Sequence, residues 1–201
     1  MGIGMDIFKK DNWHSYLRRT AGLRPEERYE ELLKLHVLVL YRYAGMVSAL
    51  AGKDAEDRPG QKSRSRKSIV AHIFAWEEWQ LDVFEDKNME RRLEEQLDLQ
   101  GYVDKDIGKV YDFGSVDDFN AYQDRKYRNM EWGKVQARAL DTARRFQNFF
   151  VESHTGEFIG LLEKTPAVNW KGIHMTIPSG WYLWMISLDH EAVAHAEDLT
   201  I

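Results

Sequence analysis

Residues 25–50 read PEERYEELLKLHVLVLYRYAGMVSAL, and this run decides the fold class. Pro25 suits the first helical position, where its missing N–H is no loss, and Glu26 and Glu27 lie over the positive end of the helix dipole. Leu32, Leu35, Val39, Tyr43, Met46 and Leu50 recur at intervals of three and four, so one stripe faces a core. The helix is expected to stop near Gly52. Working outward, residues 6–19 predict a short leading helix. SIVAHIFAWEEWQLDVFED (68–86) predicts a second long helix, with Ser65 or Ser68 as its cap and residues 88–99 as an extension. Residues 100–114 read as a loop. Ser115 followed by Asp117 and Asp118 is a helix start, and helical character runs on to residue 153 with a break near Gly133. GEFIGLLEKT (156–165) continues it. A connection over 166–180 leads to a last helix, WYLWMISLDHEAVAHAEDLTI (181–201). Four long amphipathic helices without clear period-two alternation predict an all-α bundle.

Composition narrows the chemistry. The 201 residues predict one domain, and 43% apolar with 30% charged residues excludes a disordered chain. Fourteen glycines and four prolines are few, which favours helix. No run approaches the ~18 apolar residues of a membrane span, and no apolar segment follows a basic leader, so a cytoplasmic, soluble protein is expected. With no cysteine, disulfides, thiolate ligands and a cysteine nucleophile are excluded, and any thiol must arrive on a cofactor. A net charge of −5 argues against a general nucleic-acid binder. The exception is RPGQKSRSRK (58–67), which reads either as an anion or RNA contact or as a solvated loop between helices. No P-loop, GxGxxG or GxSxG is present.

The last helix carries the candidate site. With Trp184 at zero and about 100° per residue, Leu188, Ala192 and Leu199 define the buried face; Glu191 falls near 340° and His195 near 20°, both inward. His190 falls near 240°, beside Glu197, on the outer face. On the second helix His72 sits amid an apolar stripe with Ile69, Trp76, Trp79 and Val83. Two readings stay open. Either His72, Glu191 and His195 grip one metal ion and leave positions for water or substrate, or His72 is a core histidine hydrogen-bonded to Glu191 without metal. Trp76, Trp79 and Trp184 would wall the pocket, with His174 at its mouth.

AHIFAWEEW (71–79) and LWMISLDHEAVAHAEDL (183–199) resemble the DinB/YfiT-like family of four-helix-bundle proteins. The resemblance spans residues 25–199 and makes 1–201 a single DinB-like helical domain. It implies an up-down-down-up bundle, often a homodimer, holding zinc or nickel through a histidine on the second helix and two ligands on the last, here His72, Glu191 and His195. Many members have histidine where Glu191 stands. The acid is similar to the mycothiol-dependent maleylpyruvate isomerase branch, whose Glu-x3-His precedes Asp-Leu, as Asp198-Leu199 does here. The further C-terminal domain common in that branch is not expected, since the sequence ends at Ile201. Family activities imply a metal-dependent S-transferase, isomerase or hydrolase acting on a small electrophile, with a low-molecular-weight thiol as co-reactant. No nucleic-acid or membrane partner is expected. The alternative is a non-catalytic binding or interaction protein with a buried His/Glu network.

Overall fold

The computed structural model describes residues 5–59, 64–86, 88–94 and 99–200, and the protein is mostly helical. After a 3-10 turn at Met5–Phe8, α1 (Lys10–Ala21) buries Trp13, Leu17 and Ala21, residues one turn apart on one face. The helix that opened the sequence reading is α2 (Pro25–Ala49), with Pro25 in its first turn and Leu32, Leu35, Val39, Tyr43 and Val47 inside the core. By length and composition it is also apolar enough to cross a membrane, with a mean hydropathy of 1.2 over its most apolar stretch, which corrects the expectation that no run reaches that level. The buried stripe accounts for part of that apolarity; Val37 and Tyr41 add to it from the exposed side.

A short α3 (Gly52–Glu56) leads to α4 (Arg66–Phe84). Ser65, rather than Ser68, caps α4: its Oγ accepts the Ser68 N–H at 3.2 Å. Then come α5 (Met89–Glu94), α6 (Val116–Tyr127), α7 (Trp132–Glu152) and α8 (Gly156–Lys164). The break expected near Gly133 lies just before it, at residues 128–131, and Gly133 belongs to the first turn of α7. Two short antiparallel hairpins stand where the sequence reads as loop. In one, β1 (Tyr102–Asp104) pairs with β2 (Lys109–Tyr111), Tyr102 opposite Tyr111; in the other, β3 (Ala167–Trp170) pairs with β4 (Met175–Pro178), Trp170 opposite Met175. Strands of three or four residues are too short to show a period. Gly108, at φ 65°, supplies the left-handed residue that closes the first hairpin.

The chain ends in α9 (Ser179–Asp189), a π-helical turn (His190–Ala194) and α10 (Ala196–Leu199). The helices α2 and α4 both pack along α7, and α9 with its π turn rests against α2 and α4. The α4–α7 alignment is fastened by Arg138, whose Nε and Nη2 both donate to Glu78 at 2.8 Å while Nη1 reaches Asp106 at 2.7 Å. Aliphatic side chains fill most of the core between these helices, and a layer of aromatic rings crosses it. Phe150 of α7 stacks on Trp184 of α9 at 3.8 Å, and Tyr29 of α2 meets Trp184 edge-on at 4.9 Å.

The α6 start follows the sequence signature. The Ser115 Oγ accepts the Asp118 N–H at 3.1 Å, and Asp117 and Asp118 lie in the first turn. Ser115→Ala should therefore lower stability by about 1 kcal/mol and Ser115→Gly by only a few tenths, as read from urea denaturation midpoints.

Candidate functional site

Helix α4 presents His72 from the middle of its buried length. The Asn120 side chain of α6 hydrogen-bonds this ring and accepts the Trp76 Nε1–H at 2.9 Å. Burial, with smaller contributions from His190, Arg64 and His195, pushes the His72 pKa down to about 2, so the imidazole is neutral with a free lone pair.

The other half of the site comes from the π turn. In an unbroken α-helix, residues 190 and 195 would point about 140° apart. An i→i+5 turn instead stacks residues five apart on one face. His190 and His195 accordingly meet, ring centroids 5.6 Å apart, and each faces His72, at 5.9 and 5.5 Å. One nitrogen from each of the three rings lies within 4.8 Å of the others. The His190 Nδ1 is 2.8 Å from the Ile186 carbonyl, which can only accept, so Nδ1 carries the proton and Nε2 holds the lone pair. Asp198 stands 3.6 Å from the His195 Nδ1. The π turn is itself braced from α2, where the Arg42 Nε–H donates to the Ala192 carbonyl at 3.2 Å.

The cluster differs in one member from the set read from the sequence. His72 and His195 do come together, but the third member is His190, which straight winding places outside. Glu191 is rotated past the cluster into the core. It is 1% exposed and lies against Glu77 of α4, also 1% exposed. Burial raises the proton affinity of both carboxyls, and their mutual repulsion adds to it for Glu77. The two carboxyls hydrogen-bond each other, whereas the buried Tyr43 hydroxyl, within reach of their charge, has no hydrogen-bond partner.

A cavity of about 310 Å³ opens onto the cluster, lined by His72, His190, Trp76, Glu77, Gln80 and Asn120, among others. In its wall the Ser187 hydroxyl donates to Gln80 Oε1. Of the expected pocket residues, Trp76 lines this space. Trp79 and Trp184 are packed in the core, and His174, at φ 53°, lies in the exposed turn between β3 and β4. The positions of Glu77 and His190 were not legible in the sequence. HEAVAH (190–195) holds the signal for the second, but only if the helix is already known to widen there.

The basic stretch 58–67 falls partly outside the described residues. Within them, Arg66 donates to the Asp198 carbonyl at 2.9 Å and the Thr200 carbonyl at 3.2 Å, and Lys67 pairs with Glu56. These two cations bind the C-terminal segment and α3 to α4. No protein-family model, curated protein or solved structure matches this chain.

Proposed function

We propose that the chain is a metal-dependent enzyme built as a DinB-like four-helix bundle, with α2, α4, α7 and α9 as its staves. His72, His190 and His195 would hold one divalent cation, and a small molecule would enter the adjoining cavity. The observation that carries this reading is the convergence of three imidazoles from α4 and the π turn beside a cavity of mixed polar and apolar lining. The donor set fits zinc or nickel: all three ligands are nitrogen, His72 is kept neutral by burial, and the His190 tautomer leaves Nε2 available. Three protein ligands leave room for a further group, as at catalytic rather than structural sites.

Such a cation supplies Lewis acidity and lowers the pKa of water or a thiol bound to it. Asn120 fixes the His72 ring, Ile186 fixes the His190 tautomer, and Asp198 stands behind His195; such outer partners orient ligands and raise their basicity. The Trp76 indole and the Gln80–Ser187 pair offer a substrate one apolar wall and one hydrogen-bonding wall. Since the chain has no cysteine, a transferase or isomerase reaction would draw its thiol from a low-molecular-weight cofactor, and a hydrolase would use water.

The test is elemental analysis of untagged protein. Wild type should carry about one zinc or nickel per chain, His190→Ala and His195→Ala less than about a tenth of that, and Glu191→Gln the wild-type amount. Loss in Glu191→Gln with retention in His190→Ala would restore the carboxylate as the third ligand. Negligible metal in every protein would leave a non-catalytic helical protein with a buried polar network.

A further inference from the structure

Helices α4 and α6 run antiparallel and are joined across one seam, where the Trp76 Nε1–H donates to Asn120 at 2.9 Å and, further along, the Ser68 hydroxyl donates to Asp124. Toward one end of the seam lies the cavity beside the imidazoles, lined by His72, Trp76, Val116 and Asn120. Toward the other lies a second cavity of about 350 Å³, lined by Ser65, Ser68, Asp124 and Arg128. Residues four apart stand one above another on a helix, so Val116, Asn120, Asp124 and Arg128 form one stripe on α6, and Ser68, His72 and Trp76 one stripe on α4. Both cavities therefore lie along the same two helix faces. Arg64 lines both of them.

The second cavity is basic. Arg58, Arg64, Lys67 and Arg128 stand against two carboxylates, Glu56 and Asp124, a surplus of two positive charges. Lys67 is paired with Glu56, and Asp124 accepts from Ser68 and, at 3.1 Å, from Arg128. Among the described residues, no hydrogen bond or ion pair engages the guanidinium of Arg58 or of Arg64. The Ser65 Oγ accepts the Ser68 N–H and keeps its own O–H to donate.

We infer that the basic cavity holds the phosphate of a phosphate monoester whose organic body passes Arg64 into the cavity beside the imidazoles. A phosphate monoester carries close to two negative charges at neutral pH, which matches the surplus. The planar guanidinium of Arg64 suits paired hydrogen bonds to its oxygens. Ile73, Trp76 and Val116 then give the body an apolar wall. Ser68 is one turn of α4 from His72 and Arg64 about two, so the phosphate sits roughly 6–12 Å along the helix from the imidazoles and the body is one or two rings long. A nucleic-acid strand fits less well, since the chain carries a net charge of −5 and these cations line a recess instead of an extended stripe. The inference rests on the enzyme reading only for what is done to the body; holding the phosphate needs no metal.

The experiment is isothermal titration calorimetry of metal-stripped protein with phenyl phosphate and with inorganic phosphate. Wild type should bind one phenyl phosphate per chain, and inorganic phosphate about tenfold more weakly for want of the ring. Arg64→Gln should weaken phenyl phosphate at least about tenfold, and Arg64→Lys, which keeps the charge but not the paired N–H groups, should recover part of that loss. Trp76→Ala should weaken phenyl phosphate about tenfold and inorganic phosphate less than about twofold, which ties the two cavities into one site. No binding of phenyl phosphate by wild type would overturn the inference. So would equal affinity in Arg64→Gln, or in Trp76→Ala. Should Arg64→Gln fail to fold, Arg64→Lys decides: binding a few-fold weaker than wild type supports the site, and unchanged binding rejects it. A single-stranded oligonucleotide that binds more tightly than phenyl phosphate, with a steep salt dependence, would make the basic cavity a nucleic-acid contact instead. Phenyl phosphate binding by a protein that takes up no zinc would count against the imidazole reading alone, and zinc uptake without phenyl phosphate binding against this inference alone.

Discussion

Replacing Trp184 by alanine is expected to cost about 3–5 kcal/mol of folding free energy. The indole is 0% exposed, stacks on Phe150 with an interplanar angle of 4°, and meets Tyr29 and Trp181. Its Nε1–H also donates to the His36 Nδ1 at 3.2 Å, so truncation leaves both a cavity and a buried acceptor without its donor. Trp76 is the control. It is only half-buried, rests on Phe119 and lines the cavity, so Trp76→Ala should lose less than half as much. Urea denaturation of the two variants compares them directly. A loss below about 1 kcal/mol for Trp184→Ala would show that this aromatic layer does not hold α9 to α7.

Acid should destabilise the protein through His36 well above the pH where carboxylates titrate. His36 is fully buried among Phe146, Phe150 and Trp184, and burial pushes its pKa down to about 3. The unfolded chain protonates this ring near pH 6.5, so between about pH 6.5 and 3 the unfolded state binds the extra proton. Its contribution is thus fully present above pH 6.5 and is lost as pH falls, at about 1.4 kcal/mol per pH unit. His36→Gln keeps an acceptor for Trp184 and cannot titrate. Its stability should fall less steeply with acid, by about one proton's worth of slope between pH 4 and 6. His72 has the same sign of shift but is present in both proteins, so it cancels in the comparison. Parallel slopes for wild type and His36→Gln would mean that the ring already charges inside the fold.

The structure also explains why one face of the last helix was misread. From Ser179 to Asp189 the winding is regular, and Leu183, Trp184 and Leu188 are buried as an ideal helix requires. At His190 the turn widens, and straight winding no longer gives the neighbours of His190 and Glu191, although Ala192 and Leu199 are still buried as counted. That places His190 with His72 and His195, and it sends Glu191 toward Glu77.

Helix identity was local information. Pro25 with its acidic first turn, Ser65 and Ser115 as caps, and the three-and-four spacing of Leu32, Leu35, Val39 and Tyr43 rest on contacts within a few residues, which the sequence states directly. His72 and His195 were found the same way, from their phase on apolar faces. The third imidazole, the Glu77–Glu191 pairing and the two hairpins were decided only in the folded protein. Nothing in HEAVAH demands an i→i+5 turn; in the fold, one of its carbonyls is taken by Arg42, a residue 150 positions earlier. Backbone groups released from a regular helix need partners, and those partners belong to other elements. A site that depends on such a turn is therefore written in the packing of α2 and α4 against the chain's end.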